Sequence, residues 1–110
     1  MREARIILPN RRSNCHKLLG RMLANEFGGF TRLAGHGHWV DPRGEDCVEA
    51  VYVYQVAVPS CSVTVLRRLW NIAREIGHIA KQQCIYLVMP TGSVFLVEPD
   101  AEFDARPGEG

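Results

Sequence analysis

The segment 48–58 limits the possible folds of this chain more than any other. Apolar side chains stand on both sides of it, and only Glu49 and Gln55 interrupt them. β-Branched and aromatic residues favour strands, and a strand that is apolar on both sides is normally buried on both faces. The sequence therefore predicts a central strand in a sheet whose two faces are both covered.

A first helix is predicted before this strand. Ser13 is a favourable N-cap because its hydroxyl can accept a hydrogen bond from the first turn, and Gly28 can take the left-handed conformation that ends a helix. Between them, apolar residues recur at three- and four-residue spacing, which is typical of one buried helix face. These residues are Cys15, Leu18, Leu19, Met22, Leu23 and Phe27.

A second helix is predicted after the strand. Pro59 ends the strand, and either Ser60 or Ser62 can cap the helix that follows. Its apolar face has the same helical spacing. It consists of Leu66, Leu69, Ala73, Ile76 and Ala80.

The remaining segments predict further strands. Segments 5–8, 30–40 and 84–89 are short apolar or alternating runs, and segment 94–97 predicts a fifth strand or an extension of the fourth. Turn-forming residues at 41–46 join the second and third strands in a hairpin. The order βαββαβ predicts an α+β, ferredoxin-like sandwich, in which two helices cover one face of an antiparallel four-stranded sheet.

Length and composition favour one domain. The chain has 110 residues, of which 46% are hydrophobic, and a net charge of +1, which is typical of a globular domain. We expect residues 1–98 to form this domain and residues 99–110 to be an acidic, disordered tail, because the tail has no apolar periodicity. No segment is long and apolar enough for a signal peptide or a membrane span, so we expect a cytoplasmic protein without a membrane partner.

The sheet face that the two helices leave open needs a cover. A large exposed apolar face is unusual for a monomer and indicates an interaction surface. We expect a second copy of the chain to cover it, in a homodimer or a ring. The alternative is that the fifth strand and the tail fold back over this face.

A cationic strip on the second strand is the candidate ligand site. Guanidinium groups beside an aromatic ring suit a phosphorylated or nucleotide-like ligand. Alternation places the cations on the side opposite Leu33, where we expect them to face away from the helix-covered core. The alternative is that glycines bend the strand and the tryptophan packs under the helices. The candidate ligand-binding residues are Arg32, His36, His38, Trp39 and Arg43.

The basic N-terminal segment is a second candidate, for anion contact through Arg11 and Arg12. His36 and His38 share one face of a strand but form only half of a metal site, since no third ligand has a diagnostic spacing. The four cysteines form no CxxC pair and are expected to be reduced. We therefore expect no metal and no cofactor.

No catalytic motif is present in the sequence. It contains neither a phosphate loop nor a nucleophile elbow, and Cys15 and His16 diverge if they lie on a helix. Tyr52 and Tyr54 share one side of the third strand, like the aromatic platform of an RNA-recognition motif, but the glycine-aromatic pattern of that motif is missing. Nucleic acid is therefore an unlikely partner.

The pattern FGGFT…GHGHWVDPRGE…VYVYQVAVP…LRRLWNIAREIG…CIYLV resembles small, mostly uncharacterised proteins of phages, prophages and plasmids over residues 27–97. This resemblance implies a ferredoxin-like fold. The strand with GFT and GHG, residues 29–37, is also similar to a strand of PII-type signalling proteins, which are trimers that bind nucleotides between subunits. That likeness implies a homo-oligomer.

These features predict a non-enzymatic, homo-oligomeric binding protein of a mobile element. It would act in counter-defence, either by sequestering a small phosphorylated or nucleotide ligand or by blocking a host protein. A ligand-binding protein would have a pocket at a subunit boundary lined by Arg32, His36 and Trp39, whereas an inhibitor would have an exposed charged patch. The alternatives are a module that binds single-stranded RNA or DNA and a small enzyme with its site at the subunit interface.

Overall fold

Five strands and two helices form the structure, a computed structural model that describes residues 1–11 and 13–104 but not the side chain of Ser13. The first half of the chain holds β1 (Arg2–Pro9), α1 (Ser13–Phe27) and β2 (Thr31–Val40). The second half holds β3 (Asp46–Val58), α2 (Val63–Ile79), β4 (Ile85–Val88) and β5 (Val94–Val97). The predicted order of elements is confirmed, with a separate fifth strand.

The strands form one antiparallel sheet in the order β2-β3-β1-β4-β5. β3 lies between β1 and β2, as expected for the strand that is apolar on both sides. The first four strands have the arrangement expected of a ferredoxin-like sandwich, and β5 extends the sheet beyond β4. The predicted fold class is therefore confirmed.

Short polar contacts fix the ends of the elements. Ser62 caps α2, since its Oγ accepts a hydrogen bond of 3.3 Å from the Val65 amide. In the β2–β3 hairpin, Asp41 Oδ1 accepts from the backbone amides of Arg43 and Glu45, both at 2.9 Å. Gly44 has φ +83° there, a conformation that glycine adopts without strain. The side chain of Ser13, the predicted cap of α1, lies outside the described part of the chain.

The core lies between the two helices and one face of the sheet. The predicted apolar faces of both helices are buried or half-buried. Alternate residues of the central strands meet them, as strand geometry requires. The fully buried members are Ala4, Ile6, Leu8, Tyr54, Val56, Val58, Ile85, Leu87 and Val97 from the strands, and Leu19, Leu23, Leu69, Ala73 and Ile76 from the helices.

The other face of the sheet, which we call the open face, carries an apolar row with one residue from each strand. Strand register places these residues side by side across the sheet. Its outer members keep large exposed fractions, 47% for Leu33 and 63% for Leu96. Neither α1 nor α2 covers them. The row consists of Leu33, Val53, Ile7, Tyr86 and Leu96.

The first part of the tail packs against α2. Trp70 Nε1 donates to the Ala101 carbonyl at 3.0 Å, and Arg74 Nε donates to the Pro99 carbonyl at 3.2 Å. The Phe103 ring lies 5.9 Å from the ring of Trp70. The packed chain therefore continues beyond the predicted boundary at residue 98, because aromatic side chains of the tail and helix meet. It does not fold over the open face as far as residue 104, and residues 105–110 lie outside the described residues.

In the described part of the chain, no helix has the length and apolar character needed to cross a membrane. The four cysteines are all free thiols, and Cys15 is buried in the core.

Candidate functional site

A groove beside α1 is the candidate functional site. It has a volume of about 700 Å³, which is within the size range of small-molecule sites. The first half of α1 lies on one side, and Phe30, the start of β2 and the middle of β3 lie on the other. The groove is lined by Asn10, His16, Lys17, Gly20, Arg21, Phe30, Arg32 and Tyr52.

His16 anchors the wall of the groove that α1 provides. Its side chain is buried, and both ring nitrogens have partners. Nε2 lies 2.8 Å from the Pro9 carbonyl, which can only accept, so Nε2 carries the hydrogen. Nδ1 lies 2.5 Å from the Tyr54 hydroxyl. In the singly protonated ring Nδ1 accepts, so the Tyr54 hydroxyl donates to it, and α1 is thereby fixed to the end of β1 and to β3.

Tyr54 and Tyr52 form the floor beside this histidine. Tyr54 is fully buried, and desolvation raises its pKa above the ordinary value of 10.0, although a hydrogen bond and the charge of Arg32 oppose this shift. The ring of Tyr52 meets the His16 ring edge-on at a centroid distance of 5.0 Å. The floor is therefore aromatic, and the Tyr54 hydroxyl within it is held by His16 and Arg32.

Arg32 lies over this aromatic floor. Its guanidinium carbon is 4.1 Å from the centroid of the Tyr52 ring, a cation–π distance. Strand pairing explains the position, because Arg32 is directly opposite Tyr54 in the β2–β3 ladder and side chains of such a pair stand on the same face. The stacking holds a planar donor group at the edge of the groove.

Phe30 closes one end of the groove through a close approach to α1. A Cβ at Gly20 would be only 2.8 Å from Phe30 Cζ. The Phe30 ring therefore occupies the space that the side chain of any other residue at position 20 would fill. The Phe30 ring also packs on Tyr54 at a centroid distance of 5.4 Å. Gly20 therefore sets how deeply this aromatic wall sits.

The groove is positively charged. Lys17 and Arg21 project from successive turns of α1, and Arg32 faces them from β2. The lining includes no carboxylate. Within residues 1–11 and 13–104, none of the ion pairs involves these three cations. These ion pairs therefore leave the three charges available to an anionic group of a ligand.

The structure separates the predicted cationic strip. Arg32, His36 and His38 share one side of β2, but it is the side of the helix-covered face, so the expectation that they face away from it is wrong. The cause is the register, in which Arg32 meets Tyr54, whose ring is buried under α1. His36 is four residues further along, about 13 Å at ~3.3 Å per residue, and lies exposed beyond the helices.

The other predicted contact residues lie elsewhere. Trp39 is on the open face and 45% exposed, so it does not pack under the helices. Arg43 lies in the hairpin turn. Arg11 forms an ion pair with Glu49, and Arg12 lies outside the described residues. Of the predicted ligand-binding residues, Arg32 alone lines the groove.

Metal ligands do not gather at His36 and His38. Among the residues that the structure describes, no group of three or more histidine, cysteine or acidic side chains is arranged to hold a metal ion.

The spacing of residues in α1 indicates that His16 is buried, although the prediction considered His16 only as the neighbour of Cys15. His16, Leu19, Gly20, Leu23 and Phe27 repeat at helical spacing, so the histidine continues the buried face of α1. A buried histidine needs partners for both nitrogens, which indicates a polar contact inside the core. Phe30, in contrast, became part of the site only through the close helix–strand approach at Gly20.

Two solved structures share this fold. One is a phage SAM lyase in its apo state, with a TM-score of 0.63 and 12% sequence identity over 92% of this chain and 91% of that chain. The other is a phage SAM lyase in complex with S-methyl-5′-thioadenosine, with a TM-score of 0.61 and 13% identity over 87% and 88% of the two chains. At these identities the likeness shows a common fold.

No protein-family model matches the sequence, and no curated protein does. The predicted resemblance to phage proteins is confirmed in part, because both structural neighbours are phage proteins. The prediction of a non-enzymatic binding protein is contradicted by the same neighbours, because they are an enzyme. A fold alone does not define an activity, so the groove must supply the rest of the argument.

Proposed function

We propose that this chain is an enzyme that cleaves S-adenosylmethionine in the groove beside α1 and releases S-methyl-5′-thioadenosine. The observation that carries the proposal is the common fold with a SAM lyase over 92% of this chain. The groove supports it, since its volume of about 700 Å³ accommodates a nucleoside with an amino acid side arm. Its aromatic wall, the partly exposed ring of Phe30, suits a purine ring.

The reaction breaks the bond between the sulfonium sulfur and the γ-carbon of the amino acid. The bonding electrons stay with sulfur, so methylthioadenosine leaves as a neutral thioether. The four-carbon fragment then closes to a lactone if its own carboxylate attacks the γ-carbon, or becomes an unsaturated amino acid if a base removes a β-proton. Ring closure fits this groove better, because it needs no base from the protein and both nitrogens of His16 are engaged.

The charge of the groove favours this reaction. A positive sulfonium is converted to a neutral thioether, so nearby cations destabilise the substrate more than the transition state, in which the charge is already fading. Lys17 and Arg21 supply these charges. The protein would then accelerate the reaction chiefly by its field and by holding the side arm in a reactive conformation.

The assembled form of the enzyme is a homo-oligomer. The apolar row on the open face supports this proposal, because one exposed residue from each strand forms a continuous surface. The likeness to PII-type trimers is a prediction that agrees with it. A site completed by a neighbouring subunit would explain why the groove is open to solvent on one chain.

In its biological setting the enzyme would deplete a methyl donor in the cytoplasm of an infected cell. A phage enzyme of this kind would act in counter-defence by withholding the donor from host methyltransferases. This agrees with the predicted type of protein, although it acts on a metabolite rather than on a host protein.

The proposal is tested by incubating the purified protein with S-adenosylmethionine and separating the products by chromatography with mass detection. We expect methylthioadenosine and a lactone in equal amounts. Tyr52→Ala should abolish turnover, since it removes the floor of the groove, whereas Val63→Ala on the exposed start of α2 should leave turnover unchanged. If the wild-type protein forms no methylthioadenosine above the spontaneous rate, the proposal is wrong.

A further inference from the structure

In the proposed function, a positively charged substrate binds in a positively charged groove. S-Adenosylmethionine carries a sulfonium, an ammonium and one carboxylate, so its net charge is positive at neutral pH. Lys17, Arg21 and Arg32 repel such a substrate. Binding therefore requires that at least one of these cations meets the carboxylate, the substrate's sole negative group.

Arg32 is the cation best held for that contact. Its guanidinium is stacked on Tyr52 at 4.1 Å from the ring centroid, and Tyr52 is itself packed against His16. The guanidinium is planar and can donate two parallel hydrogen bonds to a carboxylate, which a lysine cannot do. Lys17 and Arg21, in contrast, extend from an exposed side of α1, and neither has a comparable aromatic support.

We infer that Arg32 binds the α-carboxylate of the substrate and so distinguishes an amino-acid-bearing sulfonium nucleoside from the free thioether nucleoside. This inference rests on the proposed function and assigns one end of the substrate within the groove. The amino acid arm lies beside Arg32, and the rest of the groove remains for the nucleoside. The carboxylate that Arg32 holds is the group that attacks the γ-carbon, so the contact also positions it for ring closure.

The inference also explains product release. Methylthioadenosine has no carboxylate, so it loses the Arg32 contact as soon as the bond to the γ-carbon breaks. An enzyme that binds its substrate through the amino acid arm holds the nucleoside product less tightly once the arm has been cleaved from it. Strong inhibition by this product is thereby avoided.

The experiment measures binding by calorimetry with two nucleosides that are not cleaved. S-Adenosylhomocysteine keeps the amino acid arm and lacks the sulfonium, and methylthioadenosine lacks the arm. In Arg32→Gln, the affinity for S-adenosylhomocysteine should fall roughly 10- to 100-fold, because a charge-assisted contact is lost. The affinity for methylthioadenosine should change less than about threefold, since its groove contacts remain.

Two further variants separate the contact from general effects. Arg32→Lys keeps the charge but loses the paired donors and the stacking, so it should retain only part of the preference for S-adenosylhomocysteine. Arg2→Gln removes the same charge at the far end of β1, opposite Val58, and should bind both nucleosides as the wild type does.

Three results would overturn the inference. Equal loss of affinity for both nucleosides in Arg32→Gln and Arg32→Lys would show that Arg32 supports the groove as a whole. Unchanged affinity for S-adenosylhomocysteine would assign the carboxylate to another cation. Adenosine 5′-monophosphate that binds as tightly as S-adenosylhomocysteine and depends equally on Arg32 would show a general anion contact. Failure of the wild type to bind either thioether nucleoside would instead reject the proposed function itself.

Discussion

The buried ring of His16 joins three parts of the molecule, because on α1 it contacts Pro9 at the end of β1 through one nitrogen and Tyr54 on β3 through the other. The bond to Tyr54 is buried, so it contributes more than a surface hydrogen bond would. The same contact fixes Tyr54, which in turn supports Arg32 and Phe30. A polar pair inside the core therefore determines the shape of a groove at the surface.

Tyr54→Phe tests this pair through stability. The substitution removes the hydroxyl and leaves His16 Nδ1 buried without a partner, which should lower the free energy of unfolding by about 1–3 kcal/mol. Tyr86→Phe is the matched control, because Tyr86 is 40% exposed on the open face, and its effect should stay within about ±0.5 kcal/mol. Urea denaturation of both variants measures the difference. Equal stability of the two variants would show that the bond contributes nothing.

The raised pKa of Tyr54 predicts a dependence on alkaline pH. A tyrosine whose pKa is higher in the folded chain keeps its proton when the unfolded chain loses it, so the stabilisation is complete below 10.0, the ordinary tyrosine pKa. As the pH rises further, this stabilisation is lost. The difference in the free energy of unfolding between the wild type and Tyr54→Phe should therefore become smaller. Absorbance of the phenolate should show one of the three tyrosines ionising late, and Tyr54→Phe should remove that phase.

Gly20 gives a test of the groove wall. A methyl group there would lie 2.8 Å from Phe30 Cζ, so Gly20→Ala should push the Phe30 ring out of its position. Alanine also favours the helix by about 1 kcal/mol, which offsets part of the packing cost. We therefore expect almost unchanged thermal stability but clearly weaker binding of methylthioadenosine, measured by calorimetry. Unchanged binding would place the nucleoside elsewhere.

At the level of elements, sequence patterns were sufficient because each element has a strong local cause. The helical spacing in α1 and α2 and the two-sided apolar β3 determine which faces are buried, whatever the surroundings. The faces of β2 were harder to assign. Alternation divides Arg32 from Leu33, but only the register with β3 decides which side the helices cover, and register is set by long-range pairing.

The tail shows the limit of composition as a guide. Residues 99–104 have no apolar periodicity, yet Trp70 offers both an indole donor and a ring face that this segment uses. A single aromatic pair and a few backbone contacts can order a short segment without leaving a pattern in the sequence. For residues 99–104 the prediction left out the surface of α2 against which they lie, and for residues 105–110 disorder stays a prediction.

Truncation after Glu98 tests the importance of these contacts. It removes Ala101, the acceptor of the Trp70 indole, and Phe103, so we expect a melting temperature lower by several degrees. A chain that ends at Asp104 is the matched control, because it keeps both contacts. Equal melting temperatures for the two truncated chains would restore the expectation that residues 99–110 are dispensable.

For the molecule as a whole, the fold could be predicted and the activity could not. The order of elements and their apolar faces leave few arrangements of a chain this short. The groove, in contrast, is assembled from residues of α1, β2 and β3 that are distant in sequence, and no local motif connects them. Arg32 was predicted for its charge and its strand, whereas the partners that give it a role, Tyr52 and His16, became visible only through packing.

The open face gives the prediction that concerns the whole assembly. Light scattering at micromolar concentration should give at least twice the chain mass of 12.4 kDa, because an apolar row across all five strands is otherwise left in water. Leu33→Glu combined with Tyr86→Glu introduces charge into this row and should yield monomers. Val63→Glu combined with Ile79→Glu makes the same change in charge at exposed positions of α2 and should keep the wild-type mass. A wild-type protein that is monomeric at this concentration would contradict the proposed oligomer, and full turnover by the monomeric variant would show that one chain forms the complete site.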